Sequence, residues 1–369
     1  MTETGEARAA ADMFSCEGCG SQMLFDPNTQ KLKCEHCALE KEIPAPLVEA
    51  PEYLYNPQTD SYTAPDWEAL GNKTVRCKNC GASTVVSSAD MTAVCPFCGS
   101  HYVMDEDEIT IGILPETIMP FQISRERASG LFRDWVKRRF WAPRAFKKAS
   151  HRISELHGVY IPFWTYDAHL YTSYVGQGGR DRTETYTTRD EDGNTHTHTR
   201  TVTDWYPIAG NAALSFDDEK VCATRRVDTQ MLDETGTYST KMLRRYAPAF
   251  LCGFAAQRYD VGVGEGWKEA GAGMEHKMEN HVEQQEGYDH YRGMQYQHQF
   301  DQVRFKHILL PLWLSSYPYK QKVYSFMVNG ETGVVAGKSP VSALKVAAAV
   351  LLAVGLIALL LWFIWYFRG

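Results

Sequence analysis

Eight of the ten cysteines in this chain stand in two copies of one spacing. In each copy two C-x-x-C pairs are separated by fourteen residues, and the candidate ligands are Cys16, Cys19, Cys34 and Cys37 in the first and Cys77, Cys80, Cys95 and Cys98 in the second. Each pair places two thiolates on one tight turn, and the interval has room for a hairpin that brings the two pairs together. Four thiolates around one ion form the closed tetrahedral site of a structural zinc ribbon. The spacing therefore predicts two structural zinc ions, and it favours binding or scaffolding over catalysis.

The residues after the cysteine pairs fit this interpretation. Gly20, Gly81 and Gly99 follow three of the four pairs, where the backbone often needs the positive φ that glycine adopts freely, and Ala38 takes this place in the fourth. Between the pairs, both copies read as strand, turn and strand, the hairpin of a ribbon. Disulfides, or a ribbon that has lost its metal, are the alternatives to two zinc ions.

A second informative segment is residues 346–367, which contain no charged residue and no proline. As a helix rising about 1.5 Å per residue, these 22 residues span roughly 33 Å, enough for a hydrocarbon core of about 30 Å. Trp362, Trp365 and Tyr366 gather near its far end, where aromatic rings meet lipid headgroups. The segment predicts a single-pass C-terminal tail anchor, and a buried core helix is the alternative.

Flanking charges orient this anchor. Residues 1–14 contain no apolar stretch of the kind that signal peptides need. Lys338 and Lys345 precede the span and Arg368 follows it, so the positive-inside rule places the large N-terminal part in the cytoplasm. A reducing cytoplasm agrees with zinc-binding thiolates.

The composition, with a net charge of −7 over 369 residues, is unremarkable for a soluble body. We predict an α+β fold class with two small four-cysteine zinc ribbons, a strand-rich mixed domain and one C-terminal transmembrane helix. The predicted boundaries are 1–45 for the first ribbon, 46–70 for a proline-containing linker, 71–110 for the second ribbon, 111–340 for the mixed domain and 341–369 for the anchor.

Periodicity predicts two helices in the mixed domain, at 124–140 with Ser124 as N-cap and at 266–286. The predicted apolar side of the first consists of Ala128, Leu131, Phe132, Trp135, Val136 and Phe140, and that of the second of Trp267, Ala270, Met274, Met278 and Val282. Polar hairpins are predicted around residues 192–194 and 329–330. Segments 159–164 and 308–313 share a Pro-x-Trp pattern. This pattern predicts two equivalent strands with prolines at sheet edges, or else two ordinary buried strands of similar composition.

Other motif-like residues do not complete a catalytic site. Residues 337–339 resemble the end of a phosphate-binding loop but lack the glycine that should stand five residues earlier. His196 and His198 share a strand face, which we interpret as a solvated hairpin in preference to a metal site. Cys222 and Cys252 are predicted to be buried apolar side chains. With no nucleophile and matching base, we predict that the protein is not an enzyme.

Residues 125–152 carry ten Lys or Arg and two acidic residues. A solvated helix face would explain this charge. An anionic lipid leaflet or an acidic partner is the second interpretation, because basic residues near such a surface are each worth about 1 kcal/mol. Nucleic acid is the third.

The two ribbons, the segment at 159–168 and the segment from 317 through 333 together resemble a bacterial family of transcription-factor-IIB-type zinc-ribbon proteins with a C-terminal membrane span. Members are often labelled as similar to the replication-restart helicase, a label that follows the cysteines, and this chain lacks that helicase's phosphate-binding loop. The resemblance implies an inner-membrane protein that works beside phage-shock protein A and flotillin-like proteins in membrane-stress responses. It names no catalytic residue.

The function predicted from these features is that of a tail-anchored, cytosol-facing scaffold that recruits a protein partner to the bacterial inner membrane. A membrane-tethered nucleic-acid-binding protein is the alternative. A third hypothesis is an enzyme whose site lies in the 111–340 domain and escapes motif analysis.

Overall fold

The computed structural model describes most of the chain. The described residues are 14–47, 52–62, 72–77, 83–87, 103–105, 115–149, 156–189, 194–239, 242–319 and 322–368.

Sixteen described strands precede or alternate with five α-helices. The strands are β1 Met23–Asp26, β2 Lys31–Cys34, β3 Glu40–Lys41, β4 Tyr53–Asn56, β5 Ser61–Tyr62, β6 Asn72–Cys77, β7 Ser83–Ser87, β8 Val103–Asp105, β9 Thr117–Ile118, β10 His157–Arg189, β11 Thr195–Cys222, β12 Arg244–Arg245, β13 Ala255–Gln257, β14 His290–Tyr319, β15 Lys322–Asn329 and β16 Val335–Gly337. The helices are α1 Arg125–Arg138, α2 Arg144–Ala149, α3 Thr229–Glu234, α4 Val263–Glu286 and α5 Ala343–Arg368. The chain is thus of the mixed α+β class, as predicted, with a strand-rich sheet and one apolar C-terminal helix.

Three long strands form the centre of the fold. β10 lies between β11 and β14 and is antiparallel to both. It pairs with β14 from His157 to Gly179 and with β11 from Phe163 to Arg189. Beyond Gly179 only β10 and β11 continue, as a two-stranded hairpin. Its strands are those that flank the polar hairpin predicted around residues 192–194, with Arg189 opposite Thr195, and residues 190–193 of the predicted turn lie outside the described residues.

The two Pro-x-Trp segments are neighbours related by an approximate two-fold axis. Ile161 pairs with Leu310, and the register runs symmetrically outward from this pair. On its outer side, β10 pairs first with the short parallel strand β13 and then, one residue after Pro162, with β11. β14 pairs first with the short parallel strand β9 and then, one residue after Pro311, with β15.

The predicted position of the prolines at sheet edges is wrong. Pro162 and Pro311 lie inside central strands, at the points where the outer neighbour changes from one strand to the next. A proline has no N–H to donate to a ladder, so it is tolerated in a central strand where the ladder is interrupted. The two segments are nevertheless equivalent, because their neighbouring strands change at matching positions as well.

The tryptophans of the two segments extend this symmetry to the helices. The Trp164 indole N–H donates to the Val261 carbonyl at 2.8 Å, two residues before α4 begins. The Trp313 indole N–H donates to the Ile123 carbonyl at 2.9 Å, two residues before α1 begins. Each strand therefore fixes the start of the helix from the other half of the domain.

Both predicted helices are confirmed. In α1 the Ser124 hydroxyl accepts from the Arg127 N–H, as an N-cap should. α4 lies on one face of the long strands, and the side predicted to be apolar is buried there: Trp267, Ala270, Met274, Met278 and Val282. The exception is Phe140, assigned to the apolar stripe of α1 but 69% exposed just beyond the helix end.

Segments N-terminal to the mixed domain join its sheet. In the region predicted as a linker, β4 and β5 form a hairpin whose first strand pairs with β14. β7 pairs with β13 through Val85 and Ala256, so strands of the second cysteine region extend the same sheet. The predicted hairpin at residues 329–330 is also present, with Val328 opposite Val335.

Two glycines of α4 give a matched test of this packing. A Cβ on Gly266 would lie 2.5 Å from the Tyr166 hydroxyl, whereas a Cβ on Gly273 would meet nothing within 4 Å. We expect Gly266→Ala to lower the free energy of unfolding by about 1–3 kcal/mol through overpacking. Gly273→Ala should raise it by about 0.5–1 kcal/mol, because alanine favours a helix interior. Urea denaturation measures both, and equal effects of the two variants would contradict the packing described.

Candidate metal centre

The first cysteine pair forms a tight turn with a left-handed residue at its end. The Gly20 N–H donates to the Cys16 carbonyl at 2.8 Å, and the Cys16 N–H donates to the Ser21 carbonyl at 2.7 Å. Gly20 has a φ of 72°. This backbone folds Cys16 and Cys19 onto the same side of the turn.

The second pair repeats the same turn at the end of β2. The Ala38 N–H donates to the Cys34 carbonyl at 2.9 Å, and the Cys34 N–H donates to the Leu39 carbonyl at 2.9 Å. Ala38 has a φ of 62°, although alanine has a Cβ that opposes this conformation. The replacement of glycine at this position therefore leaves the turn geometry intact and places the strain on Ala38.

The β1–β2 hairpin brings the two turns together. The Cys16 and Cys37 sulfurs are 3.3 Å apart, the Cys19 and Cys34 sulfurs are 3.4 Å apart, and all four lie within 4.8 Å of one another. Tetrahedral zinc with Zn–S bonds of about 2.3 Å needs sulfurs about 3.8 Å apart. The four thiols are free of disulfides. The structure thus confirms one four-cysteine group that could bind one metal ion.

The four thiols differ in exposure and in acidity. Cys16 and Cys34 are buried, whereas Cys19 and Cys37 face solvent. A hydrogen bond from Ser21 lowers the pKa of Cys19 to about 6. The Leu39 backbone N–H lowers the pKa of Cys37, but contact with the other thiols outweighs it and raises that pKa to about 12. Four thiolates this close need a cation to offset their mutual repulsion, so metal binding here would release protons.

The ribbon is fixed to the body on the side away from the turns. The Phe25 N–H donates to the Cys252 carbonyl at 3.0 Å, and the Phe25 ring packs edge-on against Phe250 at 5.3 Å. The Gln30 amide donates to the Phe121 carbonyl at 2.8 Å. The sulfur cluster is therefore held in place relative to the central sheet.

The second four-cysteine set is only partly within the described residues. Cys77 ends β6, while Cys80, Cys95 and Cys98 lie outside the described part of the chain. β7 covers residues 84–86, where the sequence predicts the first strand of the second ribbon, but it pairs with β6, which precedes the cysteine pair. The second strand of this predicted hairpin, at residues 92–94, lies outside the described residues. A second zinc ion stays a prediction.

Residues that did not complete a catalytic motif in the sequence have surroundings that agree with their interpretation. His196 and His198 are exposed on the outer hairpin, and His198 bonds Thr188 at 2.8 Å. Cys222 and Cys252 are buried. Lys338, from the segment that resembles a phosphate-binding loop, pairs with Asp228 at 2.6 Å.

An acidic cluster that the sequence did not reveal surrounds a buried lysine. The Lys306 ammonium lies 2.7 Å from Asp218, 3.3 Å from Glu52 and 3.9 Å from Asp167. Asp218 adopts a positive φ at a bulge, where its N–H reaches the Asp167 carboxylate. Burial raises the pKa of Asp167 to about 6. Asp217 completes a carboxylate group of metal-binding size, but Lys306 already supplies a cation there.

The central sheet carries an open groove of about 610 Å³. Residues from all three long strands line it: Tyr171, Thr172, Ser173, Asn211, Ala212, Ala213, Gln297, His298 and Gln299. The His298 ring bonds the Thr172 hydroxyl at 2.8 Å and lies 3.5 Å from Glu279 of α4. The polar groups that line the groove are side chains of consecutive residues in regular strands.

In the described part of the chain, one helix is long and apolar enough to cross a membrane, at Ala343–Ile364 within α5. None of its most apolar window is buried against the rest of the protein. This agrees with the predicted membrane segment and leaves its orientation as a prediction.

Comparisons with known proteins add one relative. The chain is 28% identical over 336 residues to YdjG, an uncharacterized protein of Bacillus subtilis (strain 168), and the match covers 91% of this chain and 92% of YdjG. No family model matches the chain. No solved structure matches it. The resemblance to the transcription-factor-IIB-type family remains an expectation from the sequence.

Metal analysis of serine variants tests the two predicted ions separately. We expect about two zinc ions in the parent chain, one in Cys16→Ser and none in the Cys16→Ser/Cys77→Ser double variant, since each loss leaves three thiolates. Elemental analysis of purified protein measures this. A parent chain with one ion that Cys16→Ser removes would restrict zinc to the first ribbon, and no ion at all would exclude both.

The two turns also provide a reciprocal swap. Ala38→Gly should relieve left-handed strain and stabilise the zinc-loaded ribbon by about 0.5–1 kcal/mol, whereas Gly20→Ala should destabilise it by about 1 kcal/mol. A Cβ on Gly20 would meet nothing within 4 Å, so only the backbone opposes it. Zinc transfer to a competing chelator measures both effects, and shifts in the same direction would refute the strain argument.

Proposed function

We propose that this protein is a membrane-anchored scaffold that uses its zinc ribbon to hold a cytosolic protein at the bacterial inner membrane. The observation that carries the proposal is the union of a four-sulfur cluster with a body that continues into an exposed apolar helix. Four thiolates leave a zinc ion no open coordination position, which favours a structural role over a catalytic one.

The ribbon offers a fixed and solvent-exposed surface for such a partner. Cys19 and Cys37 face solvent, and His36 and Leu39 are exposed beside them, Leu39 by 42%. Because the opposite side is bonded to the 250–254 region, the ribbon would present this surface at a constant position. A membrane-held surface raises the local concentration of its partner, which needs no chemical step.

The partner class follows from the family resemblance. Phage-shock-type or flotillin-like proteins are the candidates, and membrane stress is the expected setting. Orientation follows from the charges beside the helix, with the ribbon and sheet on the cytoplasmic side.

Point variants test recruitment better than deletion of the ribbons. Phe25 contributes to the core beside Phe250, so removal of the N-terminal residues would expose that core. We expect His36→Ala/Leu39→Ser to release the cytosolic partner while the protein stays in the membrane with its zinc. Tyr171→Ser, at an exposed aromatic residue of the long strands, is the matched control.

Crosslinking in cells, followed by purification from membranes and mass spectrometry, identifies the partners of each variant. An unchanged set of partners in the ribbon variant would exclude recruitment through this surface. Nucleic acid that copurifies and is lost steeply with added salt would support the alternative function.

A further inference from the structure

The loop that joins α1 to α2 presents two exposed aromatic side chains. Phe140 and Trp141, which we call the aromatic corner, are 69% and 44% exposed. Their rings pack edge-on at 5.2 Å. Ala142, the next residue, is fully buried, as is Phe146 in α2. The body therefore holds the corner firmly while its two rings face outward.

This corner is bonded to the start of the membrane helix α5. The Ser342 N–H donates to the Trp141 carbonyl at 2.8 Å. The Lys345 ammonium donates to the Phe140 carbonyl at 2.6 Å and to the Ala142 carbonyl at 2.8 Å. The ammonium also lies 5.4 Å from the centre of the Phe140 ring. The corner thus sits at the point where α5 leaves the body.

Further apolar and basic side chains surround this point. Val341 and Leu344, beside the first turn of α5, are 62% and 84% exposed. Lys137, Arg138 and Arg144 flank the corner at the end of α1 and the start of α2, and all three are exposed. No described carboxylate forms an ion pair with Arg138 or Arg144.

We propose that the aromatic corner is an interfacial membrane anchor, which inserts Phe140 and Trp141 among the headgroups of the bilayer that α5 crosses and binds anionic phospholipid through Lys137, Arg138 and Arg144. The amphipathic indole of Trp141 favours this depth, the apolar ring of Phe140 favours contact with the acyl chains just below it, and clustered basic residues favour anionic lipid. The occupant follows from continuity, because the backbone of the corner is bonded to the first turn of the membrane helix.

Hydrogen bonds to the aromatic corner accommodate the charge of Lys345 at the start of the apolar helix α5. Its ammonium is satisfied by carbonyls of the corner, at the headgroup level where lysine side chains are tolerated. The corner and α5 would therefore enter the interface as one unit and set the tilt of the whole body. This inference rests on the membrane attachment in the proposed function and is independent of recruitment.

Tryptophan quenching tests the insertion in the full-length protein. The chain is placed in nanodiscs containing brominated phosphatidylcholine and about one third phosphatidylglycerol, with Trp362→Phe and Trp365→Phe removing the fluorophores of α5. We expect Trp141→Phe to remove most of the remaining quenching. Trp135→Phe, in the preceding helix α1 and packed against the core, should leave it unchanged.

Measurements on the protein with all its native tryptophans distinguish failed insertion of α5 from failed insertion of the aromatic corner. Quenching of Trp362 and Trp365 reports whether α5 is inserted, whatever the position of the corner. If these two are quenched and Trp141→Phe changes nothing, the corner does not insert and the inference is overturned.

Charge reversal tests the lipid preference. Each basic residue near an anionic surface strengthens binding about fivefold, so Lys137→Glu/Arg138→Glu should greatly reduce Trp141 quenching in discs with phosphatidylglycerol. Added salt should weaken it too. Arg245→Glu/Lys268→Glu, at exposed bases outside the segment, is the control. Equal quenching with and without anionic lipid would overturn the headgroup preference. Release of an acidic protein by the reversal, without any Trp141 quenching, would assign the surface to a protein partner.

Discussion

The antiparallel pairing of β10 with β14 positions every other part of the domain. At its centre, Ile161 faces Leu310 between two strands that change their outer neighbours at equivalent places. Each proline allows that change, because it has no backbone N–H and therefore needs no hydrogen-bond acceptor on the neighbouring strand. Each tryptophan then donates a hydrogen bond to the backbone just before a helix of the other half. Trp164 and Trp313 therefore link the pairing of the strands to the position of the helices.

Two further devices attach the N-terminal segments to this centre. The first is the apolar contact of Phe25 with Phe250, which supports the sulfur cluster from behind. The second is the buried Lys306, which joins Glu52, beside the β4–β5 hairpin, to carboxylates of β10 and β11. A lone buried ammonium would be costly, and three carboxylates compensate it. The ribbon depends on its own four sulfurs for its turns and on the sheet for its position.

Local patterns were sufficient to predict the parts that depend on local physics. The cysteine spacing predicted the first sulfur cluster, the Ser124 cap and apolar spacing predicted α1, and apolar spacing predicted the buried side of α4. Long-range pairing was beyond the sequence. The Pro-x-Trp segments suggested equivalence, but their edge position was wrong because a proline's tolerance depends on where the neighbouring strands end. The cluster around Lys306 could not be predicted, because its carboxylates come from segments that are distant in sequence and meet only at a bulge.

The exchange of short strands between the two halves has a consequence for biosynthesis. β9 pairs with β14, and the nearby contact of Glu116 with the His307 N–H bridges 191 positions. A ribosome adds about 5–20 residues per second, so the first half would wait roughly 10–40 s for its partner strand. During that interval the edges of β9 and β10 that later pair with β14 would be unsatisfied and open to pairing with other chains. Nascent protein of this topology should therefore need protection by chaperones more than its size alone suggests.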